Sequence, residues 1–170
     1  MVYKCNYLKV LEVFFIEPTT IHFIKGISKR INLAPVSVKK YITELLQEKL
    51  VKRKESKPFS GFIANRESED FIFYKRIYNL YTLKDLTEFI VSSYYPKLLV
   101  VYGSYARGED VETSDIDLLI LTKVRKELDL RRFENKLRRS IHLVIVDDLN
   151  KLDGKLLKKV QNGIVLYGGF

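Results

Sequence analysis

The sequence predicts two domains of different class: a mainly α N-terminal domain and an α/β (α+β) C-terminal domain with a small mixed sheet. Charge divides the chain, because residues 1–57 carry 12 Lys and Arg against five Glu, a net charge of +7, whereas residues 98–170 carry +2. The hydrophobic pattern divides it too, since helical spacing dominates the first half and continuous Val, Ile and Leu runs begin after Lys97. A chain of 170 residues can hold two such domains.

Composition excludes several classes of protein. Cys5 is the only cysteine, which excludes a disulfide within the chain and makes the reducing cytoplasm the expected location. No apolar stretch approaches the about 18 residues that a membrane span needs, so no membrane partner is expected. Lys4, Lys9 and Glu12 interrupt the N-terminal apolar residues, and no signal peptide is therefore predicted.

Three helices are predicted in the N-terminal domain. Apolar residues recur at helical spacing in residues 7–16 and 21–31, and Thr19-Thr20 precedes the second segment as an N-cap. Pro35 suits the first turn of a third helix, which we expect to run to about residue 50. This third helix has one apolar face and one polar, basic face.

A β-hairpin is predicted after the third helix. Val51–Lys54 and residues 62–64 are short β-prone runs, and the loop between them contains Pro58 and Gly61. The segment INLAPVSVKKYITELLQEKLVKRK resembles the second and third helices and the first wing strand of the winged helix-turn-helix family. The resemblance implies a domain over residues 1–65 that binds double-stranded DNA.

The third helix and the hairpin carry side chains that suit a DNA duplex. A helix with a polar, basic face can enter the major groove, while basic residues on the wing can meet phosphates. We expect the contacts to come from seven residues: Ser37, Lys39, Lys40, Thr43, Lys52, Arg53 and Lys54. A winged helix used for protein contacts or dimerisation, and a merely basic surface, are the alternatives.

A helical linker is predicted over residues 66–82. Its aromatic stripe resembles a packing face, which we interpret as a seam between domains or between subunits of a homodimer. The stripe consists of Phe71, Tyr74, Tyr78 and Tyr81. Thr82 with Asp85 resembles a capping box that would start a further helix ending near Tyr94.

The C-terminal domain, residues 83–170, is predicted to alternate strands and helices. Buried strands are expected at residues 98–102, 116–121 and 141–146, with a short final strand at 164–167. Helices are expected at residues 126–139 and 150–161.

Four residues near the first two of these strands suggest a nucleotide and metal site. Gly103 allows the backbone to turn and approach a ligand closely, and Ser104 offers a hydroxyl and an N–H where a phosphate could sit. Asp115 and Asp117 point to one face of a strand, roughly 6.5 Å apart along the chain. Two such carboxylates can share Mg²⁺, or Mn²⁺ in its place, with triphosphate oxygens as further ligands.

The segment GSYARGEDVETSDIDLLI resembles the signature of the DNA polymerase β-like nucleotidyltransferase superfamily, in its minimal (MNT-type) branch. The pattern Gly-Ser, spacer, Asp-x-Asp maps onto Gly103, Ser104, Asp115 and Asp117, and Arg107 also matches, although it could be a plain surface residue. The resemblance implies an NTP-binding domain that, if active, transfers NMP to a hydroxyl. It implies catalytic, metal-holding aspartates and nucleotide binding by the other three residues. Many minimal nucleotidyltransferases act as antitoxins beside HEPN-domain partners.

The sequence departs from this family at one position. The family takes a third carboxylate from a later strand, but here that strand reads Ile141-His142-Leu143-Val144. Asp147 has the wrong strand parity to replace it, and Asp148 lies too far along the strand. His142 could be a catalytic general base, an altered metal ligand, or a histidine at a site that has lost catalysis. The alternative function is therefore a DNA-binding regulator or antitoxin with a catalytically degenerate nucleotidyltransferase domain.

Overall fold

The computed structural model describes residues 5–57 and 59–169. These residues form two compact units, and the boundary falls between Tyr74 and Lys75. Lys4 and Pro58, which the sequence predictions used, lie outside the described residues. Among the described residues, no helix has the length and apolar character that crossing a membrane requires.

The first unit contains three helices and a hairpin, in the predicted order. They are α1 (Asn6–Ile16), α2 (Ile24–Ile31), α3 (Pro35–Gln47), β1 (Val51–Lys54) and β2 (Gly61–Ala64). The two strands are antiparallel, with Val51 opposite Ala64, which confirms the hairpin. Each of the five elements contributes buried apolar residues, among them Val10, Phe14, Ile27, Val38, Ile42, Leu45, Val51 and Ala64.

The second helix begins later than predicted, at Ile24, and Thr19-Thr20 does not cap it. His22 is extended instead, and its backbone exchanges two hydrogen bonds of 2.8 Å with Phe62 of β2. This bridge occupies the backbone groups that a helix over residues 21–23 would need. The segment therefore pairs with the hairpin, although its apolar residues have helical spacing. The third helix also ends early, because Lys49 adopts the left-handed conformation (φ 58°).

Helix α4 (Glu69–Thr82) crosses the boundary between the units. Its most buried side chains are Phe71, Lys75 and Asn79, each 1% exposed, whereas Tyr74 and Tyr81 are largely exposed. Phe71 is therefore the only fully buried member of the aromatic stripe. Lys75 and Asn79 can occupy the other buried positions of α4 because both hydrogen-bond to a buried acidic residue, which is described below. A seam formed by the exposed aromatic side chains stays a prediction.

Helix α5 (Lys84–Tyr94) starts without the predicted capping box. Its N-cap residue is Leu83, which makes no side-chain cap bond, and the Thr82 hydroxyl donates backwards to the Asn79 carbonyl at 2.7 Å. Asp85 pairs with Lys136 instead. The Thr82 and Asp85 side chains thus bond elsewhere, and the capping-box prediction is wrong.

The second unit is built on a four-stranded sheet of β3 (Leu98–Tyr102), β4 (Ile116–Leu121), β5 (Ile141–Val146) and β6 (Ile164–Gly168). The strand order is β5-β4-β3-β6. The β3–β4 and β3–β6 pairs are antiparallel and the β4–β5 pair is parallel. The predicted small mixed sheet is confirmed, with its strands close to the expected positions.

Both predicted helices around the last strands are shorter than expected. Helix α7 covers only Arg131–Leu137, because the Asp129 carboxylate accepts the Arg131 backbone N–H at 3.0 Å and favours a turn there. The segment at 150–161 divides into a 3-10 turn (Leu149–Lys151) and α8 (Gly154–Gln161). Asp153 caps α8 by accepting the N–H groups of its second and third residues at 2.9 Å.

Helices cover the two faces of the sheet, which explains why every residue of β3 is buried. One face packs Leu99, Val101 and Leu118 against α5 and α7, and the other packs Val100 and Leu119 against α8. A strand buried on both faces needs continuous apolar residues rather than alternation, as the sequence has. A short helix, α6 (Gly103–Arg107), follows β3 directly.

Candidate nucleotide and metal site

The end of β3 meets the starts of β4 and β5 at one edge of the sheet. Tyr102, the last residue of β3, lies opposite Asp117, and Asp117 lies opposite His142 in the parallel register. The sheet therefore places two of the three predicted catalytic residues side by side. Burial, and then the nearby Asp117 charge, raise the pKa of Tyr102, which keeps this neighbour neutral.

Gly103 turns the chain at this edge and lies against Asp117. Its φ is +74°, in the region that favours glycine, and a Cβ on it would stand 2.5 Å from Asp117 Oδ2. Asp117 therefore occupies space that only a glycine at position 103 leaves open. The sequence predicted a close approach at Gly103, and here the approach is to the carboxylate.

Asp117 and His142 are in contact. Oδ1 of Asp117 lies 3.2 Å from Nδ1 of His142, and the two side chains are 31% and 63% exposed. A carboxylate at Nδ1 favours the tautomer that carries its proton there and leaves Nε2 as the proton acceptor. The pair opens to solvent, so a substrate group could reach His142.

Ser104 and Arg107 lie on α6, at opposite ends of the helix. Ser104 is half-buried in its first turn, and its carbonyl accepts the backbone N–H of Glu109 at 3.0 Å. Arg107 is exposed, and its Nε donates to Glu109 Oε2 at 2.7 Å. Arg107 therefore forms a local pair on the surface, as expected of the surface-residue alternative.

Asp115 is exposed just before β4 and borders an open cleft of about 320 Å³. One side of the cleft is the 112–115 segment, and the other is formed by the end of α7 and by Ser140. The cleft has a mostly polar lining with both charges: Glu112, Thr113, Ser114, Asp115, Glu134, Asn135, Arg138, Arg139 and Ser140. Asp115 thus faces solvent beside a polar recess.

The carboxylates at this edge suit a cation that takes its remaining ligands from water and from phosphate groups. Among residues 5–57 and 59–169, no three His, Cys, Asp or Glu side chains are grouped to hold a metal ion. Mg²⁺ does not need such a group, because one or two carboxylates plus phosphates and waters usually hold it. Asp115 and Asp117 are exposed and partly exposed carboxylates two residues apart, which fit that requirement.

The predicted DNA-contacting residues of α3 lie mostly on its exposed side. Lys39, Lys40 and Thr43 are exposed and Ser37 is half-buried. Thr43 donates its hydroxyl to the Lys39 carbonyl at 3.0 Å, and Lys40 approaches Glu44 at 4.0 Å. The basic groups of this face are thus presented to solvent.

The three basic residues of the hairpin are also exposed. Lys52 pairs with Glu67 at 3.2 Å, Arg53 stacks over the Phe62 ring at 6.0 Å, and Lys54 ends the strand. Strand β1 packs against α3, so the two sets belong to one unit. Exposed pairs of this kind are individually weak.

Sequence reasoning missed a buried polar cluster in the second unit. Lys75, Asn79, Asp110 and Arg139 are all at least nine-tenths buried. A signal was present, since two polar residues lie four apart on the buried side of α4 and an aspartate occurs in the motif's spacer. The aromatic residues around Lys75 and Asn79 dominate the pattern of this helix and mask the polar pair.

A family model described as Polymerase beta, Nucleotidyltransferase matches residues 84–169. Two solved structures are similar to parts of the chain. One, titled as a toxin-antitoxin with AMP-PNP, has 25% identity and a TM-score of 0.38, covering 54% of this chain and 74% of that one. The other, a provisionally assigned nucleotidyltransferase from Sulfolobus solfataricus, has 24% identity and a TM-score of 0.35, covering 57% and 86%. No curated protein matches.

Proposed function

The chain belongs to the polymerase beta nucleotidyltransferase family, and on that premise we propose that its C-terminal unit binds an NTP with a divalent cation and transfers the NMP group to a hydroxyl. One observation carries the proposal. Gly103, Asp117 and His142 meet at a single edge of the sheet, next to the exposed Asp115. A glycine turn, two carboxylates and a base are groups that such a transfer can use.

In this proposal Asp115 and Asp117 hold Mg²⁺ or Mn²⁺, and the cation would neutralise charge on the triphosphate. Ser104, beside the Gly103 turn, could donate a hydrogen bond from its hydroxyl to a phosphate. Arg107 could leave its exposed pair with Glu109 and bind another phosphate. Each contact would orient the α-phosphorus toward the acceptor.

We assign the general base to His142. The acceptor hydroxyl would lose its proton to Nε2, while Asp117 at Nδ1 orients the ring. The hydroxyl oxygen then forms a bond to the α-phosphorus, and the bond between the α-phosphorus and the bridging oxygen breaks. Pyrophosphate leaves with that electron pair. His142 thus takes over proton removal where the family pattern has a third acid.

Transfer of α-labelled ATP, CTP, GTP or UTP with Mg²⁺ or Mn²⁺ tests the assignment. We expect label on a protein or nucleic-acid acceptor with the wild type, and a loss of about 10²- to 10⁴-fold with His142→Gln, which lacks a basic nitrogen. Nucleotide affinity of that variant should stay within about twofold, because the base does not hold the ground state.

Two variants, His142→Asp and His142→Gln, separate the three interpretations of this residue. A general base predicts weaker transfer by His142→Asp than by the wild type. If the site has lost catalysis with its third acid, the wild type is silent and His142→Asp gains Mg²⁺-dependent transfer. If His142 is a metal ligand, His142→Gln weakens the affinity for Mn²⁺ with nucleotide, which contradicts the base assignment.

A second candidate function is a DNA-binding regulator or antitoxin whose nucleotidyltransferase domain no longer catalyses. His142 in place of the family's acid favours it, as do the exposed basic residues of α3 and β1. In this candidate the first unit is a winged helix that binds double-stranded DNA, and a HEPN-type protein or a second copy of the chain is the partner. Silence with all four nucleotides, together with salt-sensitive duplex binding, would favour it.

A further inference from the structure

The second unit buries a cluster of charged and polar side chains beneath the loop that leads to Asp115. Asp110 lies at its centre and is 1% exposed. Lys75 Nζ donates to Asp110 Oδ2 and Asn79 Nδ2 donates to Asp110 Oδ1, both at 2.7 Å. Arg139 Nη2 approaches Asp110 Oδ2 at 3.5 Å. Two cations therefore share one buried carboxylate.

Burying such a cluster carries a large desolvation cost. Burial lowers the pKa of Lys75, and the Asp110 charge opposes that effect. Apolar residues of similar volume often stabilise a protein as well or better, so a buried ion pair is weak evidence for a stability role. What the cluster does provide is a fixed geometry, because each donor fits one position of the Asp110 carboxylate.

The fixed point lies in the segment between α6 and β4. Asn79 also donates to the Tyr105 carbonyl at 2.8 Å, so the same amide holds α6 and Asp110 together. Beyond Asp110, a tight turn closes on itself. The Val111 N–H donates to Ser114 Oγ at 2.9 Å, and the Ser114 N–H donates to the Val111 carbonyl at 3.0 Å.

The other end of the segment is held by the neighbour of Arg139. The Ile116 N–H donates to the Ser140 carbonyl at 2.9 Å. Arg139 in turn contacts Asp110. The residues before and after Asp115 are therefore both connected to the same buried cluster. Asp115 itself is exposed and lies outside the hydrogen-bonded pairing of the sheet, because β4 begins at Ile116.

We propose that Asp110, with Lys75, Asn79 and Arg139, is a positioning cluster that holds Asp115 beside Asp117 for the shared cation. The proposal rests on the function proposed above for those two aspartates. Asp110 touches no substrate in this account. It acts through the 111–116 segment, whose geometry decides whether the two carboxylates can serve one ion.

Hydrogen exchange of the free protein tests the holding role without a ligand. In Asp110→Asn, which keeps shape and loses charge, we expect amide exchange of residues 111, 114 and 116 to rise at least about tenfold. The amides of Leu118 and Ile120 should stay protected. Asp85→Asn is the matched control, because it removes an exposed carboxylate from a pair with Lys136 in the same unit. Lys75→Met, which keeps the buried stem, is the second variant, with the same local pattern expected.

Calorimetry with Mn²⁺ and ATP then tests the consequence. We expect affinity to fall at least about tenfold in Asp110→Asn and to stay unchanged in Asp85→Asn, at a temperature where circular dichroism shows both folded. Unchanged exchange in the segment, or an equal rise at Leu118 and Ile120, overturns the positioning role. Selective loosening with unchanged affinity also overturns it. If the wild type binds none of the four NTPs with Mn²⁺, the proposed function fails, while exchange still decides whether Asp110 holds the segment.

Discussion

At the scale of single residues, the geometry of the site depends on a glycine as well as on its charged groups. Gly103 has a left-handed backbone and faces Asp117 so closely that a Cβ would stand 2.5 Å from Oδ2. Any side chain at this position must displace the carboxylate or the turn. Gly103 therefore links the end of β3 to the proposed cation site.

Gly103→Ala should disturb the site more than the fold. We expect the free energy of unfolding to fall by about 1–2 kcal/mol from the left-handed conformation, and affinity for Mg²⁺ with nucleotide to fall at least about tenfold. Gly154→Ala is the control, since nothing lies within 4 Å of its added Cβ and its φ is ordinary. Thermal unfolding and calorimetry measure the two quantities. Equal affinity in both variants would contradict the role of Gly103.

At the scale of elements, continuous apolar runs predicted the strands well. A continuous apolar segment such as Leu98–Tyr102 is typical of a strand that is buried on both faces. Helix ends were predicted less well, because they depend on local competitors that spacing does not reveal. The His22–Phe62 bridge delays α2, and Asp129 and Asp153 fix the starts of α7 and α8.

The candidate site was predictable only in part, for a related reason. The motif gave Gly103, Asp115 and Asp117 directly, since their spacing is local. The contact between Asp117 and His142 needs the parallel β4–β5 register, which only the alignment to the family's third acid suggested. The buried partners of Asp110 come from α4 and from the segment before β5, and no local pattern joins them.

Helix α3 provides the prediction that belongs to this scale. Replacing Lys39 and Lys40 together by Ala should weaken duplex DNA binding roughly tenfold and reduce the salt slope by about two, because each lysine replaces a counterion on a phosphate. Lys158→Ala with Lys159→Ala is the matched control, as both are exposed neighbours on α8 of the second unit. Fluorescence anisotropy across a salt series measures both quantities. An equal drop in the two double variants would contradict a DNA-reading role for α3.

At the scale of the whole molecule, the chain joins a basic unit to a unit of the nucleotidyltransferase family. Net charge of +7 is concentrated in residues 1–57, while the carboxylates proposed to hold the cation lie in the second unit. The two proposed activities therefore rest on different residues. A variant that removes one activity should leave the other intact, so each can be tested in the full chain.

The central claim is that Asp115 and Asp117 hold a cation that brings the nucleotide to the second unit. Calorimetry of the full chain with Mg²⁺ and each of the four NTPs tests it most directly, using Asp117→Ala beside Asp147→Ala. The two carboxylates are almost equally exposed, at 31% and 32%, but Asp147 follows the far end of β5. We expect Mg²⁺-dependent binding in the wild type and in Asp147→Ala, and none in Asp117→Ala. Unchanged affinity in Asp117→Ala would contradict the claim.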